Sequence, residues 1–294
     1  MTLYLRKQVS KMNRILIITN SYKDKDLAVT KEIIAFLEEK NVKCANVFTE
    51  VQPGDINIPK EFEDSDCFIV LGGDGTLIHA ARVAVSKKIP LIGVNLGTVG
   101  YLCELESGDL KSSLEKLINN EFSYEKRMML SGDVYLEGKK KFSDVALNDI
   151  VIHRGGELKL LDYIIYVNGE HLYTYSSDGI ILSTPTGSTG YSMSAGGPIV
   201  EPGAELIVIT PINPHSLNGK SIIISADDEV IIEIGAGRRK EVEKAQVTFD
   251  GRESVALQSG DRIKISKSEN VVEIINISNI SFLKTLRKKM KNYT

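Results

Sequence analysis

The sequence predicts an α/β domain followed by an all-β domain, and three observations carry that prediction. Residues 14–119 alternate short β-branched runs with amphipathic helical stretches, the order that builds a parallel sheet covered by helices on both faces. From Met128 to Ile265 helical periodicity almost disappears, and short strand-like runs recur between turn signals, as in a mostly antiparallel, sandwich-like domain. The chain has 294 residues, room for two domains at roughly 100–200 residues each. The expected division is an α/β domain over 12–124, a β-rich domain over 125–266, and a C-terminal strand and helix over 267–294 that packs back on the first domain.

In the first domain, Arg14–Thr19 is a short apolar run suited to a buried parallel strand. Ala28–Lys40 sets Ile33, Ile34 and Leu37 at helical spacing with Lys and Glu on the other face. Val42–Phe48 reads as a second strand and Cys67–Leu71 as a third that ends abruptly in glycines. Leu77–Ser86 is a helix with an Ala-rich face, Pro90–Val94 a fourth strand and Leu110–Asn119 a further helix. Residues 1–11 are polar and basic and are expected to lie outside the fold.

In the second domain the strand-like runs are Leu130–Leu136, Asp149–His153, Asp162–Val167, Gly179–Ser183, Leu206–Thr210, Ser221–Ile224, Glu229–Ile234, Gln246–Phe249 and Asp261–Ser266. Asn168-Gly169, Asp178-Gly179 and Asp250-Gly251 read as turns. Ser281–Lys291 is a basic helix whose Phe282, Leu283 and Leu286 give it an apolar side for docking.

Composition narrows the function. A net charge of −3, from 36 basic and 39 acidic residues, argues against a broad nucleic-acid surface while leaving room for a small positive phosphate pocket. Cys44, Cys67 and Cys103 lack the spacing of a disulfide framework or a zinc site, and read as reduced thiols of a cytoplasmic protein. Apolar runs fall short of the roughly 18 residues that cross a bilayer, so no membrane partner is expected.

The segment with the most chemistry is Gly72-Gly73-Asp74-Gly75-Thr76, between a strand and a helix. Glycines let the backbone approach a ligand, and the N–H groups that open the helix are free to bind an anion. It is neither a Walker A nor a GxGxxG motif. A carboxylate inside a phosphate loop needs a reason: it holds a cation, or it accepts a proton from an attacking hydroxyl. The structural alternative is a tight turn in which Asp74 caps the helix. Gly93–Tyr101 also follows a strand, and paired with the first loop it suggests that both strand ends line one crevice.

In the β-rich domain, Thr184–Pro198 is dense in Gly, Ser and Thr, offering neutral donors and acceptors to a polar ligand, with Tyr191 available to stack on a base. A flexible linker is the alternative, but linkers seldom contain this mixture of Pro, Tyr and Met. Asn148-Asp149 offers an amide for a base and a carboxylate for ribose hydroxyls. His79 lies one helical turn beyond the Gly-rich loop, within reach of a phosphate; His153, His171 and His215 match no metal site or triad.

Taken in order, Gly72–Thr76, Asn95–Tyr101, Asn148-Asp149, Ser177-Asp178-Gly179, Thr184–Pro198 and Val247–Gly251 resemble the motifs of bacterial NAD kinases over residues 15–266. The Gly-Gly-Asp-Gly turn alone is shared with lipid kinases and 6-phosphofructokinases; Asn148-Asp149 and Thr184–Pro198 are the specific part. The resemblance implies a Rossmann-like first domain, NAD held between it and the β-rich domain, and a homodimer or homotetramer. It implies transfer of the ATP γ-phosphoryl group to the 2′-hydroxyl of the adenosine ribose of NAD, with Mg²⁺ or another divalent cation accompanying ATP.

Asp74 then corresponds to the proton acceptor, with Gly75 against the ribose and phosphates. Asn148 and Asp149 correspond to the adenine and ribose contacts, and Asp178 to a contact with the nicotinamide-side half of a dinucleotide, or of one from a neighbouring subunit. Thr189, Gly190, Tyr191 and Ser194, with Ser192 and Met193 between them, correspond to the adenine wall. His79 and Lys159 stand where some relatives place basic contacts. Three positions depart from the pattern: Asp149 is more often Glu, Gly190 more often Ala and Arg252 more often Gln. Other readings are a lipid or sugar kinase with the same turn, or a non-catalytic dinucleotide sensor; polyphosphate is an alternative donor.

Overall fold

The computed structural model describes residues 11–49, 56–97, 100–103, 105–106, 109–156, 160–215, 219–236, 242–278 and 280–291. Two compact units emerge, residues 1–126 with 272–294, and residues 127–271. Thr98, Val99 and Lys159 of the sequence motifs, and residues 1–10, lie outside the described residues.

The first unit is an α/β layer structure. Strands β1 (Arg14–Asn20), β2 (Lys43–Thr49), β3 (Cys67–Gly72), β4 (Leu91–Asn95) and the short β5 (Leu105–Glu106) pair in parallel, in the order β2-β1-β3-β4-β5. Runs such as Cys67–Gly72 and Leu91–Asn95 are buried at every position, which is why they show no alternation. Helix α1 (Ala28–Glu39) buries Ile33, Phe36 and Leu37 against Ile15, Ile17, Ile69 and Leu71, and α3 (Leu110–Ile118) adds Leu110, Leu114 and Leu117 to the same core. Burying each such side chain is worth about 1.5–3 kcal/mol. Met12 is also part of this core.

Helix α2 (Asp74–Lys87) buries Leu77, Ala80, Ala81 and Ala84. Its small residues let it sit close to β4, where a Cβ on Gly93 would lie 2.6 Å from Leu77 Cδ1. The sequence places the start of this helix at Leu77; the fold starts it at Asp74. Gly75 and Thr76 are poor helix formers, but Leu77 N–H already donates to the Gly73 carbonyl at 3.1 Å.

The second unit is a sandwich. Its first sheet contains β6 (Ser123–Leu136, which starts in the first unit), β7 (Lys139–Ala146), β9 (Leu161–Val167), β10 (Glu170–Ser177), β14 (Val230–Ile234) and β17 (Arg262–Asn276). Its second sheet runs β13 (Ile222–Ser225), β12 (Leu206–Ile212), β11 (Gly179–Ser183), β8 (Asp149–Arg154), β15 (Lys244–Phe249), β16 (Val255–Gln258). One core lies between them: Ile150, Ile152, Ile180, Leu182, Val247 and Phe249 from the second sheet against Tyr163, Ile165, Val230, Ile232, Ile263 and Ile265 from the first. Asn168-Gly169 and Asp250-Gly251 take the positive φ values their sequences predict.

Asp178-Gly179 does not form the expected turn. Asp178 is the one residue between β10 in the first sheet and β11 in the second, and Gly179 is already paired with His153 and Ile212. Glycine is required there for space, because a Cβ would lie 2.7 Å from the Ile152 carbonyl oxygen.

The last residues of β17 belong to the first unit, where Ile274 pairs in parallel with Leu91. Helix α5 (Phe282–Lys291) follows. Its Phe282 ring lies 6.2 Å from that of Tyr101, and Lys289 Nζ lies 4.0 Å from the Tyr101 ring centroid, a cation–π contact.

Candidate functional site

In the first unit, the carboxyl ends of β1, β3 and β4 carry Asn20, Gly72-Gly73 and Asn95, the place where open α/β sheets bind ligands. Gly73 caps α2 without any side-chain hydrogen bond to the first turn, so the N–H groups there are open to an anion. Asp74 is half-buried, Gly75 is exposed and a Cβ on Gly75 would meet open space.

Asp74 does not cap its own helix. Its Oδ2 accepts the N–H of Tyr101 at 2.6 Å, and its Oδ1 accepts those of Leu102 and Cys103 at 3.1 and 3.3 Å. Three consecutive amides converge on one carboxylate, an anion-binding concavity occupied by the protein's own anion. Gly100 must be glycine, since a Cβ would overlap the Asp74 carboxylate. Burial and the Asp74 charge push the Cys103 thiol up to about 12, so it stays a thiol. His79 is half-buried one turn along α2.

In the second unit, antiparallel register assembles the other motifs. Ser183 pairs with Asp149 and Ile150 with Phe249, so the start of β8, the end of β11 and the end of β15 meet. Thr184 N–H donates to the Asn148 carbonyl at 2.9 Å and Thr184 Oγ1 to the Leu147 carbonyl at 2.6 Å. Asp250, whose role the sequence reading missed, organises the corner. Its carboxylate accepts the N–H groups of Leu147, Asn148 and Asp149 at 2.8, 2.8 and 3.2 Å. Its signals in the sequence are the Asp-Gly turn and its place in the Val247–Gly251 motif, and neither shows what its carboxylate binds.

The hydroxyl-rich segment is structured rather than linker-like, with a 3₁₀ turn at Gly187–Thr189 and a short helix α4 (Tyr191–Ser194). Several of its hydroxyls are used within the protein. Ser188 Oγ donates to the Pro185 carbonyl at 2.7 Å, Thr189 Oγ1 to that of Thr186 at 3.2 Å, and Ser192 Oγ pairs with Thr210 Oγ1 at 3.0 Å. Ser192 is fully buried. Tyr191 is 48% exposed, Ser194 is exposed and Met193 half-buried.

Two buried oxygens in this corner have no hydrogen-bond partner among the described residues: Asn148 Oδ1 and Thr186 Oγ1. Beside them Asp149 is 6% exposed, and burial first, then the Asp250 charge, push its carboxyl up to about 7. A Cβ on Gly190 would sit 3.2 Å from the Gly187 carbonyl oxygen, 3.3 Å from Asn148 Nδ2 and 4.0 Å from Asp149 Oδ2. Asp178 is placed differently: its carboxylate is half-buried, 3.1 Å from Arg154 Nε and 3.1 Å from Asn213 Nδ2. Arg252 is half-buried beyond the Asp250-Gly251 turn.

Family models of the ATP-NAD kinase N-terminal and C-terminal domains match residues 57–122 and 147–277. The chain is 47% identical to the NAD kinase of Agathobacter rectalis, over 96% of this chain and all of that relative. It is 45% identical to the NAD kinase of Lachnospira eligens, over 95% of this chain and all of that relative. Among solved structures, an Archaeoglobus fulgidus NAD kinase in complex with ATP superposes with a TM-score of 0.74 at 26% identity, covering 95% of this chain and 98% of that one. Yeast NADH kinase complexed with NADH gives 0.83 at 23% identity, over 96% and 88% of the two chains, a likeness of fold.

Proposed function

The chain belongs to the NAD kinase family, and from that premise we propose that it transfers the γ-phosphoryl group of ATP to the 2′-hydroxyl of the adenosine ribose of NAD, giving NADP and ADP. The observation that carries the choice of acceptor is the corner around Asn148. Among the described residues, Asn148 Oδ1 and Thr186 Oγ1 are buried without partners, and the buried Asp149 carboxyl beside them has no hydrogen bond to offset its charge. Unpaired buried acceptors cost about 1–3 kcal/mol each. A ligand that brings several donors, such as an adenine amino group and ribose hydroxyls, removes that cost. A lipid or sugar acceptor has no base to offer there.

Asn148 and Asp149 are the proposed adenine and ribose contacts, with Tyr191 stacking and Thr189, Gly190, Met193 and Ser194 completing the wall. Asp74 is the proposed acceptor of the 2′-hydroxyl proton. A carboxylate has about four lone-pair sites, and three of Asp74's are taken by amides. The fourth, on Oδ2, is the one left for the substrate hydroxyl. With the other lone-pair sites of Asp74 held by fixed amides, its main service is to align the hydroxyl as the proton passes to it. Phosphoryl transfer is mostly positioning and charge neutralisation, and Gly75 with the opening N–H groups of α2 serves the phosphates. His79 is a proposed phosphate contact and Asp178, through its pair with Arg154, a proposed contact on the nicotinamide side.

Among the described residues no group of three or more His, Cys, Asp or Glu is placed to bind a metal ion. Mg²⁺ is commonly held by substrate phosphates and water with one or two carboxylates, so the divalent cation is proposed to enter with ATP as part of the donor. The protein is further proposed to work in the cytoplasm as a homodimer or homotetramer, a state sedimentation would read directly. No helix among the described residues is long and apolar enough to cross a membrane.

The test is a coupled assay of the purified full chain with NAD, ATP and Mg²⁺, read by an NADP-dependent dehydrogenase. NADP formation is expected; absence of NADP, with the same preparation binding Mg–ATP, removes the reading. Parallel runs with NADH and polyphosphate define acceptor and donor.

A further inference from the structure

The backbone at Gly73 does not itself call for glycine. Its φ of −135° and ψ of −172° are extended backbone open to any residue. A Cβ at this position would lie 2.6 Å from Lys23 Nζ. The ammonium of Lys23 therefore occupies the room that the missing side chain leaves over the Gly-rich turn.

The position of Lys23 is built, not incidental. It lies in the connection between β1 and α1, where the N–H groups of Lys23 and Asp24 both donate to the Asn20 carbonyl at 3.0 and 3.1 Å. Asp24 is buried, and its carboxylate accepts the N–H groups of Val29 and Thr30 and the Thr30 hydroxyl at 3.1, 2.8 and 2.6 Å. Asn20 Nδ2 donates to Thr76 Oγ1 at 3.2 Å, tying the same connection to the first turn of α2. The residues on either side of Lys23 are thus anchored.

Lys23 is exposed, and among the described residues no carboxylate lies within ion-pairing distance of its ammonium. A cation at the opening of α2 sits at the positive end of the helix dipole, beside N–H groups that no side chain caps. Like charges gathered this way are relieved by an anion with several oxygens, which an ammonium and backbone amides bind together.

We propose that Lys23 binds the terminal phosphates of the phosphoryl donor at the Gly72–Gly75 turn and stabilises the charge that develops during transfer. This rests on the NAD kinase reading. In the step, the bond from the γ-phosphorus to the β,γ-bridging oxygen breaks and its electron pair leaves with ADP. A bond forms from the acceptor 2′-oxygen to the same phosphorus, and the hydroxyl proton passes to Asp74. Lys23 supplies charge and takes no proton. The competing role is a counter-charge for Asp74 alone.

Full-length wild type, Lys23→Met and Lys23→Arg separate these roles through initial rates with ATP and NAD varied independently, kcat against pH, and calorimetric binding of Mg–ATP and of NAD. For Lys23→Met the expectation is an ATP KM at least tenfold higher and a kcat lower by about 10²–10³-fold, the loss typical of removing one charge-stabilising group. Mg–ATP binding weakens, NAD binding stays within twofold, and Lys23→Arg recovers part of the rate. A kcat/KM for ATP within threefold of wild type overturns the proposal. So does an equal loss of NAD binding, or a shifted acid limb of the kcat profile with Mg–ATP binding intact. Wild type that binds Mg–ATP yet forms no NADP sinks the NAD kinase reading, while the Mg–ATP affinities still decide the role of Lys23.

Discussion

Replacing Asp149 with asparagine isolates the free energy of one buried charge. The residue is 6% exposed, and its carboxyl is pushed up to about 7 by burial and by the Asp250 charge. In the unfolded chain an aspartate titrates near ~3.9. The native state therefore holds the proton more tightly, and its stability falls as pH rises from about 4 through about 7. At about 1.36 kcal/mol per pH unit, that interval of roughly 3 units amounts to about 4 kcal/mol. For 150–250 residues, 1 kcal/mol moves Tm by about 2–4 °C, so the expected effect is on the order of 10 °C. Asparagine is neutral at every pH. The Tm of Asp149→Asn minus that of wild type should widen by about that amount between pH 4.5 and pH 8.5. Saturating NAD should narrow the gap, because ribose hydroxyls donating to the carboxylate offset its burial. For the same reason wild-type NAD affinity should fall below pH 7, while that of Asp149→Asn stays flat. Parallel Tm curves for the two proteins across this range would refute the burial argument.

Asp74→Asn turns an NH₂ group toward at least one of the N–H donors of Tyr101–Cys103; kcat should fall by orders of magnitude while calorimetric NAD affinity persists, and near-normal turnover would remove its role. Asp250→Ala strips three amides of their acceptor and should destabilise by about 1–3 kcal/mol, the cost of donors left unsatisfied. Its NAD binding should be lost in calorimetry with Mg–ATP binding within twofold; retained NAD affinity would show that Asp250 does not shape the Asn148 corner. Two Gly→Ala changes make a matched pair. At Gly187 the new Cβ collides with the Asn148 carbonyl and lies 2.7 Å from Asn148 Cα, so about 1–3 kcal/mol of stability and at least tenfold in NAD KM should be lost. At Gly190 its nearest neighbours are 3.2 and 3.3 Å away, which a shift of a few tenths of an ångström relieves, and NAD KM should stay within about threefold.

The elements that could be read from the chain share a physical cause. Ile15–Ile18, Phe68–Leu71 and Leu91–Val94 are buried on both faces, so their apolar runs are unbroken. Lys139–Ala146 escaped because all but its last residues are exposed; it is held by pairing with β6, not by burial. Glu170–Ser177 escaped for a similar reason, pairing with β9 at a sheet edge. Asp178-Gly179 resembled a turn because composition records only that glycine is needed, and a crowded carbonyl demands one as much as a positive φ does. Hydroxyls in Thr184–Pro198 suit a polar ligand, and they are also how a compact loop satisfies its own carbonyls, as Ser188 and Thr189 do.

The sequence by itself determined the two architectures, the turn that carries Asp74, and the motifs that identify the family, since each depends on neighbours in the chain. Tertiary structure decided what surrounds those residues. It set Asp74 under the amides of Tyr101–Cys103, Asp250 under those of Leu147–Asp149, and the ammonium of Lys23 over Gly73. It also left Asn148 Oδ1 and Thr186 Oγ1 without partners among the described residues and buried the Asp149 carboxyl beside them. Each of these follows from strand register and loop closure between distant segments. A local pattern shows that a carboxylate or an ammonium is present; its charge acquires a purpose only from the groups that the fold places within hydrogen-bonding distance.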